Sequence, residues 1–427
     1  MKPYPKYKES GIEWVGKVPE HWEVKKLKNT DEVIMGQSPS SEDYNHTYTG
    51  LPFLQGNAEF TNIHPIPKIW CGTANKIAIK GDVLLSVRAP VGAVNIADQI
   101  YAIGRGLCAI RANKSNKKYL YYIFISLNDE LNSIGTGSTY TAISVDEVRN
   151  VILPCPPFSE QSNIDFYISR KTSQIDTLIE KKQKLIELLK EYRIAIINQA
   201  VTKGLNPDVP MKDSGIEWLG EVPEHWIITK LGYLCRNILD GPHFSPSYLD
   251  EGILFLSARN IKVDRWSLDD AKYISLKDYQ EFCKRITPEI GDILYTKGGT
   301  TGIARVVDLE EPFQVWVHVA VLKLLKNKVT PYFLTYSLNS PPCYEQSQLY
   351  TRGATNNDLG LARMANIILA LPPIIEQEVI SEYLKSKTSK LNSIIDKQQQ
   401  QIDLLKEYRT TLISDVVTGK IDVRGEI

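Results

Sequence analysis

The chain has 427 residues, 43% of them hydrophobic, and its fifty basic and fifty acidic side chains leave no net charge. That length can bury two or three domain cores, while no run of 18 apolar residues and no apolar signal-peptide core after Met1 are present, so membrane-spanning and secreted classes are excluded and a cytoplasmic location is expected. Neutrality also excludes a broad basic footprint for nucleic acid, so any such face must be a local patch of Lys and Arg.

In chain order, residues 1–22 read as a connector. Its segment Glu9 to Trp22, ESGIEWVGKVPEHW, returns at Asp213 to Trp226 as DSGIEWLGEVPEHW, identical at eleven of fourteen positions. Gly, Pro and Trp at this density describe a rigid piece whose aromatics pin it to a neighbour. His21 and His225 stand one per copy with no second ligand nearby, so neither is read as a metal site. Residues 23–157 form the first body. Within it Phe53-Leu-Gln-Gly-Asn57 is followed by Gly81-Asp-Val-Leu-Leu-Ser-Val-Arg-Ala-Pro-Val-Gly92, a turn, a short buried strand and a glycine-bearing loop. The small polar loop Gly135-Thr-Gly-Ser-Thr139 then precedes an apolar strand at Val151-Ile-Leu.

Residues 158–204 predict one long helix. Its apolar seam is spaced alternately three and four residues: Ile168, Thr172, Ile175, Ile179, Lys182, Ile186, Leu189, Arg193, Ile196, Ala200. This is the stripe of a coiled coil. After the second connector (205–226) and a second body (227–373), residues 374–420 repeat the helix 216 positions on, with the seam Leu384, Thr388, Leu391, Ile395, Gln398, Ile402, Leu405, Arg409, Leu412, Val416. Polar residues interrupt both seams at matching layers (Thr172 and Thr388, Lys182 and Gln398, Arg193 and Arg409), which fixes register. The two helices are therefore expected to pair with each other. A 44-residue helix is roughly 66 Å long, a rod and a ruler.

The second body repeats the framework with different loops: Phe255-Leu-Ser-Ala-Arg-Asn260, Gly291-Asp-Ile-Leu-Tyr-Thr-Lys-Gly-Gly-Thr-Thr-Gly302 and Arg352-Gly-Ala-Thr-Asn356. The fold class is thus α+β: two globular α/β bodies and two long helices forming a coiled coil, in a pseudo-twofold internal repeat. The tail, 421–427, stops where a third connector would begin, so the chain reads as a circle cut open at residue 1. Six isolated cysteines lack metal-ligand spacing and read as reduced packing residues, with no metal site expected.

The repeated Gly-Ile-Glu-Trp-(Val/Leu)-Gly before Pro-Glu-His-Trp, the Gly-Asp-(Val/Ile)-Leu of each body, Pro-Pro then Glu-Gln, Leu-Lys-Glu-Tyr-Arg and Val-Thr-Gly-Lys-Ile-Asp-Val-Arg together resemble the DNA specificity subunit of type I restriction-modification systems, over essentially the whole chain. One departure is Val201-Thr-Lys-Gly204, where the second copy has Val417-Thr-Gly-Lys420. The resemblance implies two target-recognition domains, each reading one half of a split site in double-stranded DNA, separated by two long antiparallel helices. It also implies two modification subunits that carry S-adenosylmethionine, and restriction subunits in the full complex. Cofactors (S-adenosylmethionine, ATP and Mg) are expected on those partners and none in this chain.

No catalytic constellation appears. Asn339-Ser-Pro-Pro-Cys-Tyr344 approaches the motif by which amino-methyltransferases hold a base, but Cys343 stands at the aromatic position and no cofactor loop precedes it, so it reads as a turn. Lys297-Gly-Gly-Thr-Thr-Gly302 matches neither GxGxxG nor the phosphate loop, and Glu180-Lys-Lys182 reads as a solvated helix face. The chain is therefore expected to be a non-catalytic binding protein. Base edges are read by bidentate Arg, Lys, Asn and Gln on loops. The candidates are Gln37, Ser38, Asn57, Arg88, Arg105, Ser138 and Tyr140 in the first body, and His243, Arg259, Asn260, Lys297, Thr300, Arg352 and Asn356 in the second. The alternative is a coiled-coil structural adaptor whose bodies bind proteins.

Overall fold

The computed structural model describes residues 2–134, 142–353 and 357–426. The chain divides into two units, residues 1–183 with 399–427 and residues 184–398. Each holds one connector, one body, the first half of one long helix and the second half of the other.

The two bodies share a strand frame. In the first unit a four-stranded antiparallel sheet runs in the order Val94–Ile96, Val83–Ser86, Leu107–Arg111, Glu32–Met35. In the second the order is Ala304–Val306, Ile293–Thr296, Val319–Leu324, Cys235–Asp240. A smaller sheet beside each contains a parallel pair, Leu51–Leu54 with Tyr101–Ile103 and Ile253–Leu256 with Phe313–Val315.

The Gly-Asp motif explains the entry to the central strand. Gly81 and Gly291 take positive φ (93° and 89°), which glycine adopts freely. The following carboxylates close the turn, Asp82 accepting from the Ile79 amide (2.9 Å) and Asp292 from that of Glu289 (2.7 Å). Each then takes a cation from the neighbouring strand, Arg111 on Asp82 (2.9 Å) and Lys323 on Asp292 (2.6 Å).

The Glu-Gln pair that opens each long helix is a clamp. Gln161 accepts from the Asn116 amide (2.7 Å) and donates to Pro156 O (2.9 Å), while Gln377 accepts from the Thr330 amide (2.8 Å) and donates to Pro372 O (2.9 Å). The helix start is thereby tied to its own body. Glu160 and Glu376 hold the connectors, through His21 and His225 at 2.8 Å each. Trp22 and Trp226, next in each connector, are fully buried. Both connectors are small hairpins, Tyr7–Glu9 on Lys17–Pro19 and Met211–Asp213 on Glu221–Pro223.

The long helices span Phe158–Lys203 and Ile374–Val417. Within the first unit Ile164, Ile168 and Ile175 share a core with Leu412, Ile413 and Val416. Lys182 donates to Gln401 (2.5 Å) and Arg409 to Asp176 (3.0 Å). Within the second, Ala200 and Val201 share a core with Ile380 and Leu384, and Arg193 donates to Asn392 (2.6 Å). Positions that rise along one helix meet positions that fall along the other, so the strands of the pair are antiparallel in each unit. Thr172 and Thr388 bond back to their own helices, at Ile168 O and Leu384 O (2.8 Å each).

The expected turn at Asn339-Ser-Pro-Pro is confined to Asn339 and Ser340, because Pro341 already begins the helix Pro341–Tyr350, where a missing N–H is harmless and within which Cys343 is buried.

Candidate nucleic-acid interface

In the first body, three of the expected readers converge. Gln55, Asn57, Arg88 and Arg105 line a cleft of about 330 Å³ with Glu59 and Gly106. The parallel strand pair puts Gln55–Asn57 and the turn Gly104–Gly106 at the same end of their sheet, and Arg88 follows the central strand of the other sheet. Arg88 and Arg105 are exposed. Ser38 sits beside them, its hydroxyl accepting from the Arg105 amide (3.3 Å), and Gln37 is exposed next to it. Two guanidiniums and two amides at one mouth can form the bidentate contacts that distinguish guanine and adenine. Glu59 lies among them with Oε2 enclosed and unbonded among the described residues, and burial pushes its carboxyl up. Ser138 and Tyr140 lie outside the described residues.

The second body is built differently. Arg259, Thr300 and Arg352 are exposed, and Arg352 is bridged to Asp358 through the backbone. Two expected readers are reassigned. Asn260 is buried: its Oδ1 accepts from the Ser257 amide (2.8 Å) and hydroxyl (2.9 Å) and its Nδ2 donates to Ser267 O (2.8 Å), so it shapes a turn. Lys297 is buried as well, its ammonium lying 2.8 Å from Asp358 and 3.5 Å from Asp240, so reaching a base would break both contacts and take a cation away from the buried Asp240 carboxylate. His243 is exposed and bonds Asp240 (3.3 Å), which also takes the Arg285 guanidinium. Burial alone would raise the Asp240 carboxyl, but Arg285 and Lys297 together hold it below the usual range. Asn356 lies outside the described residues.

Sequence reasoning missed Gln55, Asp240 and Arg285. Gln55 was legible as an amide in the loop that carries Asn57. The Asp240–Arg285 pair joins residues far apart in the chain and left no local signal.

The profile of the type I restriction modification DNA specificity domain matches residues 19–189 and 249–404, one copy in each half. The chain belongs to that family. Among specificity subunits, MjaIX of Methanocaldococcus jannaschii is 25% identical over 428 residues, covering 96% of this chain and 95% of its own. A 192-residue stretch is 38% identical to part of the MjaX specificity subunit of the same organism, 44% of either chain. In three dimensions the fold is similar to an HsdS subunit from Thermoanaerobacter tengcongensis (TM-score 0.55, 17% identity, 97% of this chain and 100% of that one). A chain from a structure of type I R-M complex assembly and conformational transition gives TM-score 0.73 at 18% identity, covering 95% of this chain and 99% of that one. No helix among the described residues of this specificity-family chain is long and apolar enough to cross a membrane.

Proposed function

We propose that this specificity subunit reads a bipartite DNA target, one half-site per body, and carries no catalytic activity of its own. The observation that carries the reading is one repeated frame bearing two unlike mouths: Asn57, Arg88 and Arg105 on the first, the Asp240, Arg285 and Lys297 network on the second. The Gly-Asp turns and the Gln161 and Gln377 clamps of the frame are repeated, and the groups able to meet bases differ.

The same reading places two identical modification subunits on the helices. Leu178, Leu188 and Tyr192 of the first helix and their counterparts Ile394, Leu404 and Tyr408 of the second are 42–62% exposed. Exposed apolar residues repeated at equivalent positions suit two copies of one partner. S-adenosylmethionine, ATP and Mg belong to those partners and to the restriction subunits.

The test is methylation of genomic DNA by the purified chain alone and with its modification subunits. A split motif methylated only by the complex supports the reading. Binding of S-adenosylmethionine by the chain alone, or methylation of a continuous unsplit motif, overturns it.

A further inference from the structure

The mouths of the two bodies differ by a reciprocal exchange. In the first, the turn Gly104–Gly106 joins the strands Tyr101–Ile103 and Leu107–Arg111, and Gly106 O accepts from the Val87 amide (3.0 Å). In the second, Trp316–His318 joins Phe313–Val315 and Val319–Leu324, and His318 O accepts from the Lys297 amide (2.8 Å). The Gly104 amide donates to Leu54 O (2.8 Å) as the Trp316 amide donates to Leu256 O (2.9 Å). This register makes His318 the counterpart of Gly106, and Gly298 the counterpart of Arg88. A side chain on one strand facing glycine on the other has been replaced by the opposite arrangement.

Packing explains the glycine. A Cβ on Gly298 would stand 1.9 Å from His318 Nδ1, and the backbone there is not in the left-handed region. Trp316 meets the imidazole edge-on, with ring centroids 4.9 Å apart, so the ring is fixed from both sides. Nδ1 is closed off from solvent with no hydrogen-bond partner among the described residues, although the residue as a whole is half-buried. Burial, and then the charge of Lys297, lowers the pKa of the ring and favours its neutral form. Nε2 is left as the nitrogen able to meet a ligand, and as a donor when the proton sits there.

We propose that His318 is a base-reading residue of the second body, its Nε2–H donating to the acceptor edge of a purine in the major groove, at the place that Arg88 occupies in the first body. Guanine O6 and N7 and adenine N7 are the acceptors within that chemistry. The assignment rests on the DNA-reading function above and adds the residue that sets one position of one half-site.

The experiment uses the complete complex with its modification subunits and compares wild type, His318→Asn and Gly298→Ala by genome-wide methylation mapping, with melting curves as a check on folding. Gly298→Ala leaves the imidazole in place and only displaces it. Both variants are expected to relax one purine position in a single half-site, with about tenfold slower methylation of the original motif, and to leave the other half-site unchanged. If either variant melts early, His318→Gln, whose longer side chain carries its amide donor to the place of Nε2 where the Asn amide reaches only that of Nδ1, must preserve the purine preference. Unchanged preference in His318→Asn and Gly298→Ala, or equal loss at both half-sites in folded variants, overturns the proposal. A wild-type complex that methylates no split motif overturns the underlying function instead.

Discussion

Removing the carboxylate of Glu160 should be far more damaging than removing that of Glu376, although the two occupy equivalent positions. The Glu160 side chain is only 6% exposed and accepts from Tyr4 Oη (2.5 Å) and Trp22 Nε1 (3.1 Å) besides meeting His21. Burial, and then Glu160 itself, pushes the Tyr4 hydroxyl far up, so it stays a donor. Glu160→Ala therefore strands two buried donors at about 1–3 kcal/mol each, and we expect a loss of about 3–5 kcal/mol in all. The Glu376 side chain is 31% exposed and bonded to His225, while Trp226 Nε1 has no hydrogen-bond partner among the described residues. Glu376→Ala should cost about 0–1 kcal/mol. For a unit of this size about 1 kcal/mol corresponds to roughly 2–4 °C, so calorimetry should find a drop of about 6–20 °C for the first variant and under about 4 °C for the second. Hydrogen exchange would place the first loss at residues 2–22. Equal shifts would refute the view that the enclosed donors, and not the shared His–Glu pair, carry the energy.

Arg88→Ala and Arg105→Ala should each weaken recognition of one half-site by about 1–3 kcal/mol per lost bidentate contact and spare the other, as read by methylation mapping. Replacing residues 352–356 should alter only the opposite half. Because the Asp240 carboxyl is held below its usual pKa, it stabilises the second unit fully above the unfolded value of about 3.9. That contribution disappears as pH falls through the lower folded value, and acid titration of Asp240→Asn should lack this part of the decline. Deleting seven residues from each long helix removes about 10 Å and should shorten the recognised spacer by about three base pairs, whereas an unchanged spacer would show that the helices do not set it. A permuted chain opened near Leu205, with its original ends joined, should fold and methylate the original motif, which expression and mapping would check.

The long helices were legible because periodicity is a local property: ten seam positions in each copy suffice to define the stripe, and the Arg193 and Arg409 layers meet partners on the facing helix. The repeated Gly-Asp and Glu-Gln pairs were visible as motifs, but their work was not, since Arg111, Lys323, Asn116 and Thr330 lie far along the chain from them. In the first body the loops containing Asn57, Arg88 and Arg105 were chosen for side-chain chemistry alone, and the strand register brings them together. In the second body the same chemistry misled, because Lys297 and Asn260 spend their polar groups on internal partners. His318 hides in Val315-Trp-Val-His-Val319, which reads as continuous strand until the turn is seen.

The link between long helix and connector has two physical forms in one molecule. In the second unit residues 204–210 run as covalent chain from helix to hairpin. In the first, the Asp422 amide donates to Lys2 O (2.9 Å), the Tyr7 hydroxyl donates to Gly419 O (3.1 Å) and Arg424 lies over the Tyr4 ring (4.8 Å), joining pieces more than 400 positions apart in sequence. A peptide bond cannot fray, and these contacts can. The extra bonds converging on Glu160 from Tyr4 and Trp22 fall on the side where continuity depends on them, so two units of one design should open by different routes. The first should come apart by brief release of residues 2–8, giving the fastest amide exchange and earliest proteolytic nick near that seam, while the second should stay closed until its core gives way.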